Sequence, residues 1–168
     1  MTDPSGYAKT LALPAGFDAP RLLRFDDATA HAITRDDLGA DVRGINASLD
    51  LIRETRGGTW PTGPVTEEEN YVDLVWHECE FRDGKSFTFC VEAEGSGYIG
   101  CAYLYPMGVR RPLTEELASY DVDVSWWVTP DAYDAGYYAK LHKALQRWVT
   151  EDYPFTRPHY SNLQIPSA

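Results

Sequence analysis

Cysteine, basic residues and long apolar runs are all scarce in this chain, and each shortage argues against a class of protein. Three cysteines, Cys79, Cys90 and Cys101, occur in 168 residues, an odd number with no Cys-x-x-Cys pair. That argues against a disulfide framework or a thiol zinc site and fits a reducing compartment. Each thiol sits in an apolar or strand-like stretch, where it packs as a small hydrophobe. Lys and Arg number 15 against 26 Asp and Glu, a net charge of −11. Such a surface repels nucleic acid and anionic membrane, so neither is expected as a partner, and it draws cations. A cationic amine substrate is one expectation; the acidity also reads as no more than what keeps the protein soluble. No stretch approaches the ~20 apolar residues that span a bilayer. Residues 1–20 also lack the basic start and apolar run of a secretion signal, so a cytoplasmic location is expected. There is no Gly-x-Ser-x-Gly elbow and no P-loop, and the four histidines have no ligand-like spacing, so no metal is expected.

What is present is apolar and aromatic: 43% hydrophobic residues, with five Trp and eleven Tyr. A chain of this composition folds, and its length suits one domain with a real core. The aromatic content leaves a homodimer open. Residues 1–20, with three prolines, read as an irregular arm, 21–160 as one domain and 161–168 as a loose tail.

Arg21–Phe25 and Ala30–Thr34 read as strands, with Thr34 as an N-cap. Leu38, Val42, Ile45, Leu49 and Ile52 form one helical stripe, closed by Arg56-Gly57-Gly58. Thr66 and Glu69 make a capping box for a second helix reaching Phe81, with Val72, Val75, Trp76 and Cys79 on one face. Strands are expected at Ser86–Glu92, Tyr98–Tyr105 and Asp121–Val128. A last helix begins near Asp131 or Tyr133 and runs to Asp152, and residues 155–160 give a final strand. This order predicts an α/β (α+β) domain with a mixed, mostly antiparallel central sheet flanked by helices.

The stretch Asp123–Tyr138 joins a strand to a long helix through a turn with one glycine. The first amides of such a helix lack intrahelical acceptors and can cradle a phosphate. Taken alone, it also reads as a plain strand-to-helix turn. In context it resembles the GCN5-related N-acetyltransferase (GNAT) superfamily, in particular the branch of the ribosomal-protein alanine N-acetyltransferases. Asp123 stands where that branch has a Glu, with Ser125, Trp126, Trp127 and Val128 along the strand. Pro130, Tyr133, Gly136 and Tyr137 follow at the turn, and Tyr98-Ile99-Gly100 upstream is similar to the preceding strand. Two positions depart. Asp134 replaces the first glycine of the phosphate loop, and Tyr138 replaces a small residue. Relatives also continue beyond the last helix with more structure than residues 153–168 provide, which implies a shortened C-terminal part.

The resemblance implies acetyl-coenzyme A as co-substrate, lying between two splayed parallel strands. The strand at Trp126, Trp127 and Val128 would bind its pantetheine, and the amides of Asp134, Ala135, Gly136, Tyr137 and Tyr138 its pyrophosphate. The amine attacks the thioester directly. Asp123 is the first candidate for the general base, with Asp121 assisting through a water and Tyr103 or Tyr105 protonating the thiolate. All four also read as ordinary strand residues. His77 reads as a helix-surface residue that can line the acceptor site with Glu78, and Trp60, Trp76 and Trp126 as core or cleft wall. The alternative is a GNAT-fold protein that has lost acetyl transfer and binds a small molecule or a protein. A carboxylate or phenol lodged between the splayed strands would argue against the enzyme.

Overall fold

Alternating apolar positions build six strands that share one sheet. A computed structural model describes residues 10–167. Its strands are β1 (Leu22–Phe25), β2 (Ala28–Ala32), β3 (Phe87–Ala93), β4 (Gly97–Tyr105), β5 (Val122–Val128) and β6 (Pro158–Tyr160), in that spatial order. Every neighbour pair is antiparallel except β5 and β6. A parallel pair needs a long crossover. Here α4 (Pro130–Asp134) and α5 (Tyr137–Glu151) supply it.

Helix α5 covers one face of the sheet, where Leu141, Leu145 and Trp148 pack on Phe25, Val124 and Trp126. The other face lies under α1 (Leu38–Asn46), α2 (Leu49–Thr55) and α3 (Glu67–Arg82), around Ile45, Ile52, Leu74 and Trp127. With helices on both faces, every residue of β5 is buried. No helix of the described residues is long and apolar enough to cross a membrane.

Several expectations shift. The stripe of Leu38–Ile52 divides into α1 and α2 at Ala47–Ser48, where the Ser48 hydroxyl donates to the Gly44 carbonyl at 2.7 Å. Gly44 is required there, because a Cβ would collide with the Tyr98 ring. Thr34 does cap, but it caps a 3₁₀ turn over Arg35–Asp37. Strand β2 starts two residues earlier than the pattern suggests, at Ala28. The last helix breaks at Gly136, whose φ of 88° is left-handed and ends α4 before α5 begins.

The face of α3 is also different. Asn70, Leu74, His77 and Phe81 are buried, whereas Val72 and Trp76 are exposed. Two polar residues can occupy the buried stripe because both are satisfied. Asn70 Nδ2 donates to Asp41 at 2.8 Å, and His77 Nδ1 meets the Thr88 hydroxyl at 3.0 Å. His77 is thus no surface residue. The N-terminal arm has no helix or strand over residues 10–20, yet Leu11 is buried in the core; residues 1–9 lie outside the described residues.

Candidate active site

The polar groups of β5 that face β6 decide what fits between the two strands. The pair holds register from Val122 with Pro158 to Val124 with Tyr160, and the Ser161 amide extends it to the Val124 carbonyl at 3.0 Å. Beyond that point β6 ends, and the backbone of Trp126 is met by a side chain. Asn162 Oδ1 accepts from the Trp126 amide at 3.2 Å, and Asn162 Nδ2 donates to the Trp126 carbonyl at 2.9 Å. Asn162 Nδ2 also donates to the Tyr138 hydroxyl at 2.7 Å. That hydroxyl donates to the Gln164 carbonyl, and the Gln164 amide donates to the Thr55 carbonyl at 3.0 Å. Gln164 is therefore tethered rather than part of a loose tail, because its neighbours offer partners for its backbone. Beside Trp126 the backbone ladder thus gives way to side-chain hydrogen bonds, from the Asn162 carboxamide with the Tyr138 phenol behind it. Burial raises the Tyr138 phenol to about 12, so it stays a neutral donor.

The junction after β5 differs from a simple phosphate turn. The Ala135 amide donates to Asp131 at 3.0 Å and the Gly136 amide to Tyr133 at 3.0 Å, closing α4. Those two expected phosphate ligands are already committed to carbonyls. Tyr137 and Tyr138 open α5 with first-turn amides that have no intrahelical acceptor. Asp134 is exposed and borders a surface hollow shared with Asp50 and Glu54. The Tyr137 hydroxyl turns away to Asp27 at 2.7 Å. Trp126 and Trp127 are fully buried on opposite faces, Trp126 donating its indole N–H to the Tyr138 carbonyl at 3.1 Å and Trp127 to the Tyr103 hydroxyl at 2.8 Å. Val128 pairs with Gly100, where any Cβ would strike the Trp127 carbonyl.

Asp123 lies on the same strand, buried and within the paired register. It pairs with Tyr105 on β4 and His159 on β6, and the Ser161 hydroxyl donates to it at 2.6 Å. Burial raises its pKa, opposed by the Ser161 hydrogen bond and the Arg110 charge. A buried carboxylate with a raised pKa is a competent general base. Asp121 does not join it. Its carboxylate accepts the amides of Thr156 at 2.8 Å and Arg157 at 3.1 Å, capping the entry to β6. Tyr103 is buried under the Arg56 guanidinium, 4.0 Å above its ring, and burial pushes its phenol well above the ordinary range.

On the α3 side, a cleft of about 370 Å³ opens between Arg56, Trp60, His77, Tyr103, Tyr105 and Arg110. Arg56 is buried and donates to the Ser125 hydroxyl at 3.1 Å. Arg110 donates to the Ser161 hydroxyl and to the carbonyls of Arg56 and Gly57 at 3.1 Å, and Arg111 to the Ser161 carbonyl at 2.9 Å. Sequence reasoning missed Arg56, Arg110, Arg111 and Asn162. The one available signal was the Arg110-Arg111 pair in a base-poor chain. It also missed His159, whose buried Nε2 has no hydrogen-bond partner among the described residues. Glu78 is drawn off by Arg35 at 2.7 Å and does not reach this cleft. Trp76 and His77 line a second hollow beside it, of about 580 Å³.

No protein-family profile and no characterised protein sequence matches the chain. Solved structures do. A structure described as a ribosomal-protein-serine acetyltransferase of Vibrio cholerae superposes with a TM-score of 0.63 at 12% identity, over 84% of this chain and 74% of that one. RimJ of Mycobacterium smegmatis, in complex with CoA-disulfide, gives 0.62 at 14% identity, over 88% and 68%. A GNAT-family acetyltransferase of Bacillus anthracis gives 0.56 at 14% identity, over 82% and 70%. The fold is that of the GNAT acetyltransferases. In it, β5 and β6 are the parallel pair.

Away from this region, His31, Asp37, Cys90 and Glu92 bring possible ligand atoms within 4.8 Å of one another. An ion pair of 2.9 Å between His31 and Asp37 already accounts for two of them.

Proposed function

We propose that this chain is an N-acetyltransferase that takes acetyl from acetyl-coenzyme A and delivers it directly to an amine. The observation that carries the reading is the GNAT fold whose parallel ladder ends before Trp126, on the strand that also holds a buried carboxylate, Asp123. In this reading the pantetheine lies along the Trp126–Val128 edge. The opening amides of α5 hold phosphate oxygens. Asp123 takes the proton from the attacking ammonium, with His159 next to it as a route onward. Holding amine and thioester together supplies the rest.

The residues fit the cofactor only after Asn162 and Tyr138 give way, because Asn162 now satisfies the backbone groups that pantetheine would use and the Tyr138 hydroxyl holds Asn162 there. This one observation also favours a second reading, a GNAT-fold protein that binds a small molecule without acetylating it. Incubating the protein with acetyl-coenzyme A and a panel of primary amines, and measuring released thiol, separates the two. The enzyme reading expects thiol release that requires both protein and amine. No release with any amine, from protein shown to be folded, leaves the second reading.

A further inference from the structure

Net charge and local charge disagree in this molecule, and the disagreement identifies a ligand class. Around a chain of net charge −11, the cleft on the α3 side gathers Arg56, Arg110 and Arg111. Among the described residues, none of the three forms an ion pair with a carboxylate. Their hydrogen-bond partners are neutral: hydroxyls of Ser125 and Ser161, and backbone carbonyls. Arg56 is 6% exposed, lies over the Tyr103 ring and lines the cleft. Arg110 is brought down to about 10 by burial and then by the charge of Arg56. Two carboxylates stand near. Asp123 accepts from Ser161 and is itself shifted toward its neutral form by burial. Asp73 is exposed on the rim and is drawn to His77 at 3.3 Å.

Burying guanidinium groups together without an anion is costly. Arginine forks match carboxylate and phosphate oxygens in shape as well as charge. We propose that this cleft is an anion-binding acceptor subsite, so that the amine substrate carries a carboxylate or phosphate near its ammonium. The arginines hold the anionic group and Asp73, in the cleft lining, the ammonium, with Asp123 behind the Ser161 hydroxyl. The acidic exterior then acts on the ammonium at long range while the cleft selects for the second charge. The identification of the ligand as an acceptor rests on the acetyltransferase reading, whereas the anion site itself does not.

The test therefore uses no cofactor. Phosphoethanolamine, β-alanine and ethanolamine are titrated into the full chain by calorimetry at low salt. The first two carry the anion as phosphate or carboxylate, and the third lacks it. At least one anionic amine should bind roughly tenfold or more tighter than ethanolamine. The paired Arg110→Gln and Arg111→Gln substitutions, which leave buried Arg56 in place, should remove that preference without changing the melting temperature by more than a few degrees. If the pair melts early, Arg111→Gln alone, at an exposed position, should reduce the preference. A preference under tenfold, no binding by any of the three, or a preference that survives in a folded variant overturns the proposal. Absence of acetyl transfer with anion binding intact would instead remove only the acceptor role.

Discussion

The two sides of β5 have been finished differently. Toward β6, the backbone of Trp126, unmatched by a strand, is satisfied by Asn162, and Asn162 by the Tyr138 hydroxyl, so this edge is closed by the protein's own hydrogen bonds. Toward α3, three arginines are left with neutral partners around an open cleft. The first region is neutral and self-satisfied; the second is charged and incomplete. A ligand of the first must displace protein groups, whereas a ligand of the second supplies what is missing. On the proposed reading, the acceptor side is ready and the cofactor side is gated by a side chain.

The contrast can be broken where the two regions meet. Asp123→Asn keeps the shape but cannot take a proton, and kcat/KM for acetyl transfer should fall about 10²–10⁴-fold. Because burial raises the Asp123 pKa, the acidic limb of the wild-type profile should lie above the ordinary carboxylate range, with activity lost as pH falls through it. The closed side is tested next. Asn162→Leu strands the amide and carbonyl of Trp126, and urea unfolding should show a loss of about 1–3 kcal/mol. Tyr138→Ala should sharpen the contrast by opening that edge. It should lower the melting temperature yet tighten acetyl-coenzyme A about tenfold in calorimetry, since Asn162 then loses the hydroxyl that holds it against Trp126.

The smallest effect lies far from both sides. The His31–Asp37 pair raises the histidine pKa, chiefly through their hydrogen bond. It lowers the aspartate's, because the His31 and Thr34 bonds outweigh the opposing effect of burial. The histidine contribution is present below its unfolded pKa and lost as pH rises through the folded one. The aspartate contribution is present above its unfolded pKa and lost as pH falls. His31→Gln should therefore cost about 0.5 kcal/mol in thermal unfolding between those limits, near pH 5–6, and nothing at pH 9.

Alternation and turn residues made β3, β4 and β5 legible in the sequence, and the capping box made α3 legible. What escaped depends on tertiary context. A glycine inside a helical pattern costs only about 1 kcal/mol, so nothing local shows that Gly136 adopts a left-handed φ and divides α4 from α5. The buried face of α3 holds Asn70 and His77, whose partners Asp41 and Thr88 come from other elements, so its apolar stripe pointed the wrong way. Asp123 was legible by alignment with the family pattern. Asp121 was expected to assist it through a water, and the loop it caps, visible only in the fold, draws it away. Arg56 reads locally as a helix stop. Only the fold lays it over Tyr103, beside Arg110, from 54 residues away.

Titration of acetyl-coenzyme A into the unmodified protein tests the account most directly. A saturable heat that Tyr138→Ala strengthens is expected if the strand edge at Trp126 is a cofactor site gated by that phenol. No heat at millimolar cofactor, from either the parent or the variant, would contradict it.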